Sequence, residues 1–453
     1  MDRNRIAEVI RSLITASALT TADAADWPGF LGPHGNGTSS ETNLLEQFPA
    51  GGPRVLWSRD LGTGYAAPSV IGSRLVVFHR EGEEEIVECL DAATGNSRWR
   101  HAYPSRFEDP YGYNNGPRSA PLLTTNRCFT FGAEGRLSCL DLETGRPLWH
   151  RDTAKDWQVP EAFFGVGSSP VLAGDRLLVM VGGQPDAGMA AFDAATGRTL
   201  WESVGQKTWT GQPMLGWPGQ RTVVWRANDK QASYATPVLA TVHGRPTAFC
   251  LMRQGLVSLN PATGEVNFVR WFRAQVEESV NAANPVVVDD LVLISAAYYR
   301  LGSVLLRVQP DGHSFEEVWK STAIEAHWST PVHADGYLYA FSGRNEPDAR
   351  FRCVELRTGR IRWERDESWG RRSTRQPPTY GRGSCILADN KLIVFGEGGL
   401  LGLFRVNPER PEELARWQVP SLEYPTWAGP VLSNRRLFLR GEQRLVCLDL
   451  KRE

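Results

Sequence analysis

The chain has 453 residues, 41% of them hydrophobic and 22% charged, with a formal net charge of −1. This size and apolar content allow several domains or one long repeat array around a substantial core. Near-neutral charge without a long basic run argues against a nucleic-acid partner, since phosphate binding needs clustered Lys and Arg.

The first residues carry Arg3, Arg5 and Arg11, then the short, weakly apolar run 13–19, then the small-residue pattern Ala22-Asp23-Ala24. Residues 1–25 are therefore expected to be an export signal, with a periplasmic or exported mature chain. No other stretch approaches the 18 apolar residues of a membrane span. No Cys precedes Cys89, so a lipoprotein anchor is not expected. Residues 26–53 include Trp27-Pro28-Gly29-Phe30 and end in Gly51-Gly52-Pro53. Such Gly/Pro-rich composition predicts extended chain that covers another surface rather than forming an element of its own.

From residue 54 the chain repeats. A small residue and Pro open an apolar strand at Ala67-Pro68, Ala120-Pro121, Ser169-Pro170, Thr236-Pro237, Asn284-Pro285, Thr330-Pro331 and Gly429-Pro430. Gly383-Ser384-Cys385 fills one more slot without Pro. Pro suits the first residue of a strand, where its missing N–H costs least. Each unit closes on a second motif, seen as Asp91-Ala-Ala-Thr94-Gly95 leading to Trp99 and as Asp141-Leu-Glu-Thr144-Gly145 leading to Trp149. Further copies join Asp193 and Gly197 to Trp201, Glu355 and Gly359 to Trp363, and Asn260 and Gly264 to Phe268. Asp or Asn bonds backbone N–H groups in such a turn, and Gly accepts positive φ, so each copy predicts a β-hairpin. Two copies are degraded, at Asp311-Gly312 before Trp319 and at Asn407-Pro408 before Trp417. The last copy, Cys447-Leu448-Asp449, stops at the turn. Trp57 supplies the missing strand.

A period of roughly fifty residues with about four short strands per unit is the content of a propeller blade. The prediction is an all-β, eight-bladed propeller over residues 54–453, its last blade completed by the N-terminal strand. Closure removes the open sheet edges of a linear array. One interval is too long and holds an insertion near 205–220 with Trp209 and Trp217; Trp225 is a second candidate for that blade's outer strand. The insertion reads either as a loop folded on the propeller side or as a docking loop, since Trp is favoured at interfaces.

Cys89, Cys139, Cys353 and Cys447 share one repeat position, which makes them small buried residues rather than a metal set or a disulfide framework. His327 and His333 lack metal-ligand spacing. Gly165-Val-Gly167 precedes a strand, so it lacks the helix N-terminus of a phosphate loop.

These motifs resemble the PQQ-repeat (quinoprotein-like, BamB-like) β-propellers, with similar Leu-Asp-x-x-Thr-Gly-x-x-x-Trp units over roughly 54–450. The N-terminal Trp-Pro-x-Phe-x-Gly-Pro run also resembles an exported subgroup of planctomycete-type bacteria. The resemblance implies that the repeated Trp packs between blades, a place matched by Trp57, Trp99, Trp149, Trp201, Trp319, Trp363 and Trp417.

Two functions follow. The first is a non-enzymatic binding or scaffold module, expected to be monomeric, with an envelope protein, peptide or glycan as partner. Residues just before each inner strand should ring one mouth of the central channel: Tyr65, Asn115, Arg118, Phe164, Lys230, Tyr234, Asn281, His327, Trp328, Arg382, Tyr424 and Trp427. Aromatics mixed with Arg, Lys, His and Asn suit a peptide, a glycan or an anionic small molecule. The alternative is an oxidoreductase using PQQ and Ca²⁺, with Glu277, Glu278, Asn281 and Asn284 as oxygen donors. The chain lacks the adjacent Cys pair found in many such enzymes and has no Cys-x-x-Cys-His haem motif. No metal site or catalytic residue is assigned.

Overall fold

A computed structural model describes residues 25–209, 232–274, 279–369 and 378–452. Among these, eight four-stranded antiparallel sheets form a closed ring. Blades 1 to 7 span 69–104, 122–152, 171–203, 238–271, 286–321, 332–366 and 384–418. Blade 8 takes three strands from 431–449 and its outermost strand from Arg54–Asp60. That strand runs antiparallel to Arg444–Asp449, pairing Arg54 with Asp449 and Asp60 with Arg444. No described helix is long and apolar enough to cross a membrane.

The burial pattern explains the strand sequences. The two middle strands of a blade are covered on both faces by neighbouring blades. In blade 1, Arg74–Glu81 is buried at every interior position, so its sequence Leu-Val-Val-Phe does not alternate. The outer strand Ser97–Pro104 borders solvent and alternates. The core is therefore a set of slabs between blades; Val76, Phe78 and Cys89 of blade 1 meet Leu123, Cys128 and Leu140 of blade 2. All seven cysteines are free and buried. Burial pushes the thiols of Cys89, Cys139 and Cys353 up to about 11 and that of Cys447 to about 12, leaving them unreactive.

Two contacts link blades. The first involves the repeated Trp. The indole N–H of Trp99 donates to the Leu142 carbonyl at 3.0 Å, and that of Trp149 to Ala194 at 3.2 Å. Trp57, Trp201, Trp319 and Trp363 make the same bond to Ala92, Pro261, Leu356 and Asn407. Five of these rings lie on the turn glycine of the next blade: Trp57 on Gly95, Trp99 on Gly145, Trp149 on Gly197, Trp201 on Gly264 and Trp319 on Gly359. A Cβ on Gly145 would stand 2.5 Å from the Trp99 ring. The turn glycine thus answers both a positive φ and the ring above it. Phe268 replaces Trp at one joint and packs on Phe315 at 5.0 Å.

The second contact uses the residue before four of the inner-strand prolines, Ser169, Thr236, Asn284 and Thr330. Its side chain accepts the backbone N–H of the equivalent residue in the preceding blade. Ala120 N–H bonds Ser169 Oγ at 2.9 Å, and Ser169 N–H bonds Thr236 Oγ1 at 3.0 Å. Thr236 N–H bonds Asn284 Oδ1 at 2.8 Å, and Asn284 N–H bonds Thr330 Oγ1 at 3.0 Å. Four consecutive joints are hooked in this way next to the channel.

The segment 26–53 covers the opposite mouth of the channel. Trp27 exchanges two backbone bonds with Val70 in blade 1, and Leu123 N–H of blade 2 donates to Pro28 O. The segment then reaches blade 7, where Gly37 and Ser39 bond Leu387. It continues along blade 8, where Leu45 N–H bonds Leu450 O. The covering role expected of this segment is a strap over the channel, held by the free edges of inner strands. In the insertion, Trp209 is buried against Trp271 at 5.0 Å and is a core residue rather than a docking group. Trp217 and Trp225 lie outside the described residues.

Candidate functional site

Connections from the outer strand of one blade to the inner strand of the next converge on one mouth of the channel. The channel holds a cavity of about 240 Å³. Its floor is Trp27, Phe30 and Leu31 of the strap, and its walls draw on side chains from all around the ring.

Eight of the twelve residues named from sequence line it: Tyr65, Arg118, Phe164, Tyr234, His327, Trp328, Arg382 and Trp427. Tyr424 stands outside the cavity at the rim, edge-on to Trp427 at 5.8 Å. Asn115 is drawn away: its Oδ1 accepts Asp109 N–H and its carbonyl accepts from Arg80. Asn281 is buried behind the wall, its amide donating to the carbonyls of Met252 and Phe272 at 2.8 and 2.9 Å, while Val280 and Ala282 line the cavity beside it. Lys230 lies outside the described residues.

Aromatic rings form a near-continuous chain around the wall. Tyr234 meets Phe164 at 5.5 Å, Phe164 meets Tyr113 at 6.0 Å, and Tyr113 meets Trp427 at 5.3 Å. Trp427 meets Trp328 at 5.6 Å, Trp328 meets His327 at 5.0 Å, and His327 meets Tyr298 at 5.2 Å. Tyr65 leans on Trp427 at 5.0 Å. Such edge and tilted contacts fix ring planes while leaving faces for a ligand. Tyr111, Tyr113 and Tyr424, about half exposed, extend the surface outward.

The two cations of the wall are neutralised. Arg382 bonds Glu397 through Nε and Nη2, the latter at 2.8 Å, and reaches Glu346 with Nη2 at 2.5 Å. The fully buried Glu397 also accepts the Trp427 indole N–H at 3.1 Å. The Arg382 guanidinium lies 4.7 Å from the Trp328 ring. Arg118 pairs with Asp109 and donates to the carbonyls of Gly116 and Asn114. His327 is uncharged: burial, with Arg382 and Arg344 beside it, lowers its pKa to about 3. Its Nδ1 accepts from Arg382 Nη1 at 3.4 Å, which requires the neutral ring.

Sequence reasoning missed the floor, Tyr113, Tyr298 and the two carboxylates on Arg382. The donors considered for Ca²⁺ are not assembled among the described residues. Asn284 Oδ1 is committed to Thr236, Asn281 to the carbonyls behind the wall, and Glu277 and Glu278 lie outside the described residues. No cluster of three or more His, Cys, Asp or Glu among the described residues is arranged for a metal ion.

Comparison with known proteins places this geometry. A family model described as outer membrane protein assembly factor BamB matches residues 47–215 and 83–365. The assembly factor BamB of Shewanella oneidensis is 28% identical over 158 residues, 33% of this chain and 36% of that protein. The dehydrogenase subunit of the quinone alcohol dehydrogenase of Gluconacetobacter polyoxogenes is 28% identical over 206 residues, 41% of this chain and 26% of that protein. The chain thus spans only about a third and a quarter of these two relatives. Among solved structures, BamB from Moraxella catarrhalis superposes with a TM-score of 0.58 at 14% identity, covering 88% of this chain and 98% of that one. A europium-containing methanol dehydrogenase gives 0.62 at 12% identity, covering 94% and 89%. With the repeats, the eight closed blades and the family match over most of its length, the chain belongs to the BamB-like family of PQQ-repeat β-propellers.

Proposed function

We propose that this protein is a non-enzymatic binding propeller of the cell envelope, whose channel mouth takes sugar rings of a glycan. The observation that supports this reading is the chain of aromatic rings around a blind cavity whose arginines are already neutralised. Exposed ring faces offer apolar contact to a pyranose ring, and the polar edges of Tyr113 and Tyr298 offer hydrogen bonds to hydroxyls. Paired guanidiniums give little drive to draw a strongly anionic small molecule into the channel itself. A peptide added as a strand would need free inner edges, and the strap already occupies edges of blades 1, 2 and 7. The similarity to BamB favours a binding role, and an exported location follows from the N-terminal signal pattern.

The test is calorimetric titration of the protein with a panel of oligosaccharides, alongside Trp328→Leu and Trp427→Leu. Each variant should weaken binding at least about tenfold, or about 1.4 kcal/mol. Unchanged affinity in both variants would remove the channel from the reading. The alternative, a PQQ- and Ca²⁺-dependent alcohol or sugar dehydrogenase, is favoured by the similarity to the quinone alcohol dehydrogenase subunit. Saturable, Ca²⁺-dependent uptake of PQQ with dye reduction would establish it in place of the binding role.

A further inference from the structure

Outside the channel, the cleft between blades 5 and 6 holds a second cavity of about 360 Å³. Four guanidiniums line it: Arg300, Arg344, Arg350 and Arg352. Three have carboxylate partners. Arg352 bonds Glu364 at 2.6 Å, Arg350 bonds Asp366 at 3.1 Å, and Arg300 stands 3.7 Å from Glu325. Asp348 also lines the cavity. Arg344 differs: among the described residues no carboxylate lies within ion-pair distance of it and no group accepts a hydrogen bond from its side chain. Its guanidinium instead sits 4.6 and 4.7 Å from the ring centres of Tyr298 and Tyr299. Two π faces orient a cation and leave its N–H fork unfilled.

The backbone beneath is a turn between two paired strands. Tyr299 (φ 52°) and Arg300 (φ 58°) are successive non-glycine residues in the left-handed region, as are Asp389 with Asn390 and Asn434 with Arg435 in other hairpins of the ring. This turn holds Tyr299 under Arg344 and sets Arg300 in the same cavity. Tyr298 belongs to both places: it lines the channel, 5.2 Å from His327, and also carries Arg344. The partition between channel and cleft is one aromatic ring thick.

We propose that this cleft is a carboxylate subsite centred on Arg344, and that the ligand of the channel is an acidic oligosaccharide. A uronate carboxylate takes the Arg344 fork with both oxygens, and a neighbouring ring of the same chain stacks on the channel aromatics. This deepens the glycan reading of the channel and rests on it. The neutralised arginines of the channel suit an uncharged ring, and the unfilled guanidinium next door suits its charged neighbour. One ligand with both features matches both cavities.

The experiment compares trimers of galacturonate, glucuronate and mannuronate with their methyl esters, which keep the shape and remove the charge. Titration of the full chain at low salt should show at least one free acid bound about tenfold or more tighter than its ester, with the gap shrinking as salt rises. Arg344→Gln should abolish that preference, and Arg344→Lys should keep only part of it, because the ammonium lacks the fork. Thermal melts of both variants check that they fold. Equal affinity of acid and ester, or a preference that survives in Arg344→Gln, overturns the subsite and leaves the channel reading standing if the esters bind. Binding of neither form overturns both.

Discussion

Trp417 lies on Gly52. A Cβ at Gly52 would come within 2.1 Å of the indole, and its φ is +84°. In five other joints a turn glycine of the next blade takes this place, but blade 8 ends without a Thr-Gly turn. The strap supplies the glycine instead, so the seal between blades 7 and 8 is made by residues from the two halves of the chain. Gly52→Ala combines left-handed strain with a clash into a packed ring, and the expected loss is about 2–4 kcal/mol. Gly145→Ala, under Trp99, should cost a similar amount. Gly174→Ala shares the positive φ (+65°) but meets open space, and about 1 kcal/mol is expected. Urea denaturation of the three variants measures the difference; equal losses would show that the ring contact contributes nothing.

The hooks beside the channel make a separate prediction. Asn284→Ala removes the acceptor of Thr236 N–H, which is buried, and should destabilise by about 1–3 kcal/mol. Hydrogen exchange at the Thr236 amide should rise in that variant before exchange at the distant blades does. Asn284→Ser can make the hook that Ser169 makes to Ala120 N–H, and should keep most of the stability that the alanine loses.

Much of this was readable beforehand, for a mechanical reason. Most blades repeat the contact of Trp with the next turn, so Asp141, Gly145 and Trp149 recur as a unit and reveal the ring. The channel mouth was legible by position, since Trp328 and Trp427 stand just ahead of inner strands. What could not be read was the use made of a side chain. Asn281 and Asn115 occupy rim positions in the sequence yet turn to backbone groups of the neighbouring loops. The buried Glu397 follows Gly396 without any motif, and only the fold brings it under Arg382. Trp27, Phe30 and Leu31 have no repeat partner at all. Thr236 and Asn284 were visible as small polar residues before Pro, but their hook to the preceding blade needs the ring geometry.

Acid should destabilise the protein in two steps. His327 is held to about 3 by burial and by its arginine neighbours, so the unfolded chain takes up a proton near 6.5 while the fold does not. Stability from this group is full above about 6.5 and is lost as pH falls from there towards 3. Burial also lowers His79, which adds in the same direction. Glu88 is buried, but hydrogen bonds from His79 and Ser97 and the Arg59 charge bring it down to about 2. Its contribution is present above about 4.5 and is lost from there down to about 2. Melting temperature against pH should fall below 6.5 and steepen below 4.5, and His327→Gln should flatten the first segment.

Glu397 is the electrostatic keystone of the channel wall. Glu397→Gln removes the buried charge that faces Arg382 Nε and Nη2 and the Trp427 indole. Breaking such a pair is expected to cost about 3 kcal/mol, because Arg382 stays buried with Glu346 as its remaining carboxylate. The near-ultraviolet dichroism of Trp328 and Trp427 should change as Arg382 shifts. A variant as stable as the parent, with unchanged dichroism, would mean that Glu346 alone neutralises the arginine.

The pairing of Arg54 with Asp449 also has a consequence in time. The strand that completes blade 8 is among the earliest described segments of the chain, yet its hydrogen-bonding partner is nearly the last. Contacts this remote along the chain form late and slowly. Until they do, Trp57 lacks its strand partner Cys447 and the cavity lacks the part of its wall at 427–431, although the strap can already bond blades 1, 2 and 7. Blades 1 to 7 can stack in order of appearance, but the ligand pocket exists only once the two ends have met. The site therefore matures last, so ligand competence reports completion of the whole ring rather than of any one blade.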